Sequence, residues 1–395
     1  MTLPADRHET MEYRARTQWL PGYLLVAGLI VVGAVGGLTL GGPLGQFMLA
    51  GLQTLPFALL ALLAYLGAYQ LWARVFAYIW LGILLLGLGG LAVLSVAGLL
   101  LARSGSISQP AAADPANLLA ALAVPELGAA IVWTVGGLIA AGLVLLPAVR
   151  RLVARVLPLD PVSPVHAIAL SIVVGTIIIG LGQLIATRGV PALLEMVNLN
   201  PDAVQSGSDA EQLLLIVYAF VWTVPGALIA AGFPVVRTVR EALVRLGFVW
   251  PTGWQVGGAI VLALLMVGGA SLLDAGIGRV WEAMGWPRTD SASFERLLGA
   301  AISPIGAVLI GITAGIGEEM VVRGALQPRL GILLSNLFFA SLHAFQYGFD
   351  GVLSVFVIGF VLGIVRARTN TTTSSIVHGV YDFVLVMIIA LGLFG

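Results

Sequence analysis

Long apolar runs follow one another along almost the whole chain, separated by short polar, glycine-rich or proline-rich stretches. They lie near residues 21–41, 55–73, 76–101, 126–149, 164–186, 212–235, 256–276, 302–327, 330–345, 351–366 and 374–394. Most approach the length of about 20 residues that a helix needs to cross roughly 30 Å of hydrocarbon. The pattern predicts an all-α fold, a polytopic transmembrane helix bundle of about 11 spans. Polar interruptions at 103–116 and 187–210, rich in Ser, Pro, Asp, Asn and Gly, predict exposed loops. The first run follows a mixed-charge stretch with Arg7, Arg14, Arg16, Asp6, Glu9 and Glu12 and has no small-residue cleavage site, so it reads as a first span and not a cleaved signal peptide.

The arginines test the order of spans. With the N-terminus inside, the inner segments hold Arg7, Arg14, Arg16, Arg74, Arg150, Arg151, Arg155, Arg237, Arg240, Arg245, Arg323, Arg329, Arg366 and Arg368. The outer segments hold only Arg103, Arg188, Arg279, Arg288 and Arg296. Basic residues gather on the cytoplasmic side of membrane proteins, so this asymmetry predicts an inside N-terminus and an outside C-terminus.

Composition narrows the class further. Of 395 residues 59% are hydrophobic and 10% charged, against about 25% charged in ordinary soluble domains. The partner this implies is the lipid bilayer; zero net charge gives no footprint for nucleic acid. With no cysteine there is no disulfide, thiolate nucleophile or cysteine metal site. An internal echo relates Val132–Gly142 (VWTVGGLIAAG) to Val221–Gly232 (VWTVPGALIAAG), each followed by an arginine cluster and another apolar run. This predicts a parallel two-helix repeat, about 126–187 and 212–276, within an N-terminal region 1–250 of unassigned function. The repeat carries almost no intramembrane charge, which favours a duplicated scaffold over a transport path.

The chemistry concentrates near the C-terminus. Glu318, Glu319 and Arg323 end an apolar run, where a charge near the bilayer centre costs about 2.5–3.5 kcal/mol on insertion scales and is rare without a partner or a task. Glu319 and Arg323, four apart, share a helical face and suit an ion pair. Glu318 points about 100° away and is left free to face a cavity. Phe339 and His343 follow in the next apolar helix, and His378 and Asp382, again four apart, open the last one. His8 lies in the polar tail and His166 at an expected interface. Any one of these is equally consistent with structural pairing; a free carboxylate and two imidazoles on three helices are together the parts for activating a water. Depth is a consistency test: counted from Arg329 as the inner edge, Glu318 lies about 16 Å deep and His343 about 21 Å, against about 7 Å for His378. Tilted or broken helices are needed to bring them level.

In this order, Glu318-Glu319-x-x-x-Arg323, Phe339-x-x-x-His343 and His378-x-x-x-Asp382 resemble the motifs of the CPBP family of membrane-embedded proteases, which includes type II CAAX prenyl endopeptidases and bacterial Abi proteins. The stretch Arg323–Leu330 adds to the likeness, which covers about residues 297–394. The resemblance implies a protease core at 251–395 that hydrolyses peptide bonds of a membrane-associated protein or peptide in a bacterial or archaeal cell membrane. It implies Glu318 as general base on a water also held by His343, His378 and Asp382 as stabilisers of the oxyanion, and Glu319, Arg323 and Phe339 as supports. Many members carry Asn where this chain has Asp382, which cannot donate a hydrogen bond when ionised. Asp382 then either stays protonated, orients His378, or completes a zinc site with Glu318, His343 and His378, so a cofactor is either none or zinc. A non-catalytic membrane scaffold or immunity partner, and a transporter, are the other function classes that the pattern allows.

Overall fold

The computed structural model describes residues 20–104, 124–199 and 208–393. The N-terminal stretch with Arg7, His8, Arg14 and Arg16, most of the polar loop at 103–116 and residues 200–207 of the second loop lie outside the described residues.

Among the described residues the chain is helical and contains no strand. In order the helices are α1 (Leu20–Thr39), α2 (Gly42–Gly51), α3 (Leu55–Gly67), α4 (Leu71–Arg103), α5 (Pro125–Leu143), α6 (Pro147–Val153), α7 (Pro164–Ala186) and α8 (Ala192–Leu199). They continue as α9 (Asp209–Ala230), α10 (Val239–Leu246), α11 (Gly253–Met284), α12 (Ser291–Leu298), α13 (Pro304–Ile312), α14 (Gln327–Leu342), α15 (Phe349–Arg368) and α16 (Thr371–Ala390). Among these residues, 9 helical stretches are long and apolar enough to cross a membrane, so the protein is a multi-pass integral membrane bundle.

Local chemistry sets many of the ends. Ser208 with Glu211, Thr238 with Glu241 and Thr252 with Gln255 form capping boxes that start α9, α10 and α11. Proline stands in the first turn of α5, α6, α7 and α13, where its missing N–H has no partner to lose. Gly247 and Gly285 close α10 and α11 in the left-handed conformation.

The stretch 304–345 is one helical run by composition but two legs in space. Gly331, at φ 75 and ψ 172, reverses the chain. Arg323 then lies 4.6 Å over the Phe339 ring, from the opposite leg. The runs expected at 302–327 and 330–345 are these two legs.

Polar contacts sort the arginines into two ends. At one end Arg103 meets Glu195 at 3.5 Å, Arg188 meets Glu126 at 3.7 Å, Arg288 meets Asp274 at 3.2 Å and Arg296 meets Asn198 at 3.1 Å. At the other, Arg329 donates to the Tyr65 hydroxyl at 2.5 Å, Arg237 to the Ala231 carbonyl at 2.7 Å and Arg245 to the Gly324 carbonyl at 3.4 Å. The contacts thus group four arginines of the outer set and three of the inner set; Arg323, counted with the inner set, is instead buried within the bundle against Glu319.

The two copies of the internal echo take different neighbours. Helix α5 lies along α7, whereas α9 packs on α2 and α3 and α11 packs on α15 and α16. Each echo is still followed by a short arginine-bearing helix, α6 or α10.

Candidate active site

The site is built around a helix with unusually wide turns. Residues Thr313–Glu318 and Met320–Leu326 follow π-type geometry, a rare form that recurs at functional sites. Glycine brings this segment close to α16. A Cβ on Gly315 would lie 2.7 Å from the Ser375 carbonyl oxygen, and one on Gly379 would lie 2.6 Å from that of Gly311. Small residues at such crossings let two membrane helices touch backbone to backbone.

The same packing sets the depth. Thr371 donates its N–H to the Gly247 carbonyl at 3.1 Å and its hydroxyl to that of Leu246 at 2.5 Å. Gly324 packs against Leu246, and Arg245 reaches the Gly324 carbonyl. Gly324 and Thr371 are therefore held level by one turn. Glu318 and His378 lie six and seven residues further along and meet at similar depth. The depth mismatch read from the sequence came from counting from Arg329, which lies beyond this level.

The two adjacent glutamates differ completely in environment. Glu319 is 0% exposed; its oxygens face Arg323 Nη1 at 3.4 Å and His378 Nδ1 at 3.1 Å, and it accepts a hydrogen bond from the Ser374 hydroxyl. Arg323 also donates to the Gly359 carbonyl at 2.9 Å, fixing the guanidinium. The Glu318 side chain is 42% exposed and forms part of a cavity wall. His378 stands between them: its Nε2 lies 4.0 Å from Glu318 and 3.4 Å from Asp382.

The cavity has a volume of about 810 Å³. Leu215, Ile216 and Phe220 of α9 make one wall, and Ile310, Glu318 and Val322 face them. His343 and Gln346 border it as well. The His343 Nδ1 lies 3.0 Å from the Phe339 carbonyl; that bond uses Nδ1–H, so in the neutral ring Nε2 is the acceptor. Phe339 separates the two imidazoles, with ring centroids 4.8 Å from His343 and 6.2 Å from His378. The structure thus joins Glu318, Glu319, Arg323, His378 and Asp382 in one polar cluster and places His343 with Glu318 on the cavity.

Three contributors had not been singled out in the sequence. Ser374 was legible, since Ser374, His378 and Asp382 recur every four residues on one face of α16. Tyr347 lies four residues after His343; its ring is 6.0 Å from that of His343 and 4.6 Å from that of Phe294. Burial first, and then the charges of Asp382, Tyr381 and Glu318, hold the Tyr347 phenol above its ordinary value. The wall supplied by α9 had no sequence signal, because nothing in an apolar run tells which helix it will face.

The zinc alternative can be tested on the donors. Among the described residues, no group of three or more His, Asp and Glu side chains is arranged to hold a metal ion. Nδ1 of His378 is bonded to Glu319, Nδ1 of His343 lies against the Phe339 carbonyl, and the Phe339 ring stands against both imidazoles, so the two rings are not brought together as a pair of ligands. The four residues do not fit a zinc site.

Residues 300–384 match the family model described as Type II CAAX prenyl endopeptidase Rce1-like. No match is found among curated proteins or among solved structures. The matched segment holds all seven residues of the three motifs and excludes α9.

Proposed function

We propose that this protein is a membrane-embedded endopeptidase that hydrolyses peptide bonds of a membrane-associated protein or peptide. The observation that carries this reading is the contrast between two neighbouring carboxylates. Glu319 is buried and held by Arg323, His378 and Ser374, while Glu318 opens onto an apolar cavity shared with His343. A structural charge cluster needs no such opening.

In the proposed reaction a water lies between the Glu318 carboxylate and Nε2 of His343. Glu318 takes a proton from it as the water oxygen attacks the carbonyl carbon, and the carbonyl π pair moves onto oxygen. His378, oriented by Glu319 and Asp382, donates toward that oxyanion. The pair then re-forms the C=O, the C–N bond breaks, and Glu318 returns its proton to the leaving nitrogen. Asp382 acts here as the group that orients His378, at 3.4 Å. The reading includes a protease core at 251–395, about 11 spans with the N-terminus inside, and residence in a bacterial or archaeal cell membrane.

The test is peptide release from a membrane proteome by the reconstituted protein, with Glu318→Gln as control. Defined fragments made only by the wild type support the reading. Equal fragments from both, or none from either, move it to the non-catalytic scaffold.

A further inference from the structure

We infer that the catalytic cavity is entered from the noncytoplasmic side of the membrane, and that its substrate is an apolar-flanked peptide segment exposed there. This rests on the peptidase reading for the word substrate, and on geometry and charge for the side.

The first observation is which end of the bundle the cavity serves. Its lining includes Gln212 in the first turn of α9, Leu297 and Leu298 at the end of α12, and Gln346 just past α14. All belong to the end marked by Arg288 and Arg296. Arg296 joins α12 to Asn198 at 3.1 Å, and Gly348, two residues after Gln346, donates its N–H to the Thr289 hydroxyl at 2.9 Å. Gln212 accepts a hydrogen bond from the Ala300 N–H at 3.0 Å, which ties the chain after α12 to α9 at the same end.

The second observation is what closes the other end. Past Thr223 and Val322, the deepest lining positions on their helices, Ala227, Ala231, Ala242, Leu246 and Ala325 belong to one buried apolar cluster that Met320 joins from beside the cavity. Among the described residues, none that lines the cavity comes from the Arg329, Tyr65 and Arg237 end. A packed apolar plug of this kind leaves no path for a polar peptide backbone, because each unsatisfied amide costs several kcal/mol in an apolar medium.

The third observation is charge. The end served by the cavity carries the arginine-poor set, and the plugged end carries Arg74, Arg237, Arg240, Arg245 and Arg329. Basic residues gather on the cytoplasmic side, so the plug faces the cytoplasm and the cavity faces away from it. Among the described lining residues Glu318 is the only carboxylate and there is no arginine. The walls therefore suit apolar side chains on both sides of the cut and offer no cation for a free terminal carboxylate.

The chain has no cysteine, so single cysteines report access cleanly. Gln346→Cys and Leu215→Cys probe the cavity, Ser104→Cys the arginine-poor end and Arg240→Cys the arginine-rich end. Each is exposed, in right-side-out and in inside-out vesicles, to a small charged membrane-impermeant methanethiosulfonate, and labelling is read by mass on purified protein. The expected result is that positions 104, 215 and 346 react from outside and 240 from inside. Cavity positions reacting from inside, or from neither side while reacting after denaturation, overturn the inference. So does position 240 reacting from outside. Labelling does not depend on activity, so a protein that releases no peptide but labels as expected fails the peptidase reading alone. In the active protein, a reporter with its apolar segment on the noncytoplasmic side should be cut at least about tenfold faster than its mirror arrangement. Equal cutting of both overturns the inference.

Discussion

Two glutamates side by side in sequence end in opposite roles because a wide helical turn points them to different surroundings. Glu319 is enclosed by a guanidinium, an imidazole and a hydroxyl. Removing it in Glu319→Ala leaves Arg323 charged and buried, which should cost about 3–5 kcal/mol, read as a lower unfolding midpoint in detergent. Glu318→Gln changes a group that already faces open space, so the same midpoint should stay within about 0.5 kcal/mol of wild type while peptide release is lost. Similar midpoints for the two variants would contradict the division of roles. Tyr347 belongs to this scale too. Its ring lies 6.0 Å from that of His343, and the charges of Asp382, Tyr381 and Glu318 add to burial in raising its phenol. Tyr347→Phe keeps the ring against His343 and Phe294 and deletes one donor. If that donor serves the reacting carbonyl, kcat should fall about 10²-fold with KM and the midpoint little changed. The spacing of Glu319 and Arg323 and of His378 and Asp382 made these pairs legible in the sequence, because four residues is one helical turn. Tyr347 was not, because no helical spacing links it to Glu318.

At the scale of elements, the site depends on how closely the Thr313–Leu326 segment approaches α16. Gly379→Ala would place a methyl against the Gly311 carbonyl and wedge these elements apart. Overpacking of this kind costs about 1–3 kcal/mol, and here it also moves His378 from Glu318, so both stability and peptide release should drop. Gly268→Ala in α11, where a Cβ meets open space, should leave both unchanged. Helix α12 borders the cavity and starts from Asp290, whose carboxyl is held below its ordinary value mainly by the Ser293 hydroxyl and in part by backbone N–H groups. A lowered folded value means that the cap's contribution is complete above the unfolded aspartate range and is lost as pH falls through the folded value. The protection of the Ser293 amide, its exchange rate compared with that of an unstructured amide at the same pH, should therefore fall in acid, and Asp290→Asn should flatten that response. These contacts were hidden in the sequence: glycines are frequent throughout the chain, and no local pattern separates Gly379 from Gly268.

For the whole molecule, the family likeness covers one side of the cavity and not the other. The matched segment, 300–384, supplies Glu318 and His343, but α9 supplies the opposite wall. Phe220 and Thr223 of α9 also come within van der Waals reach of the space beside Gly317, next to Glu318. Residues 251–395 expressed alone should therefore lack the enclosed site and release no peptide, even where they insert into the membrane. Activity in that fragment would show that α9 is dispensable.

The sequence by itself determined that the chain is an all-α, multi-pass membrane protein, and it placed the charged and imidazole side chains in its C-terminal quarter. Both follow from strong local costs. Backbone in hydrocarbon must be helical, and charge there is rare enough to be conspicuous. The paired roles of neighbouring residues were legible for the same reason, since helical periodicity is local. The tertiary structure alone decided that Gly324 and Thr371 share a level, that Phe339 separates the two imidazoles, and that α9 closes the cavity while an apolar plug seals one end. Those are matters of which apolar faces meet. In a chain where nearly every helix is apolar all round, the hydrophobic pattern cannot choose among partners; glycine contacts, buried pairs and shape make that choice.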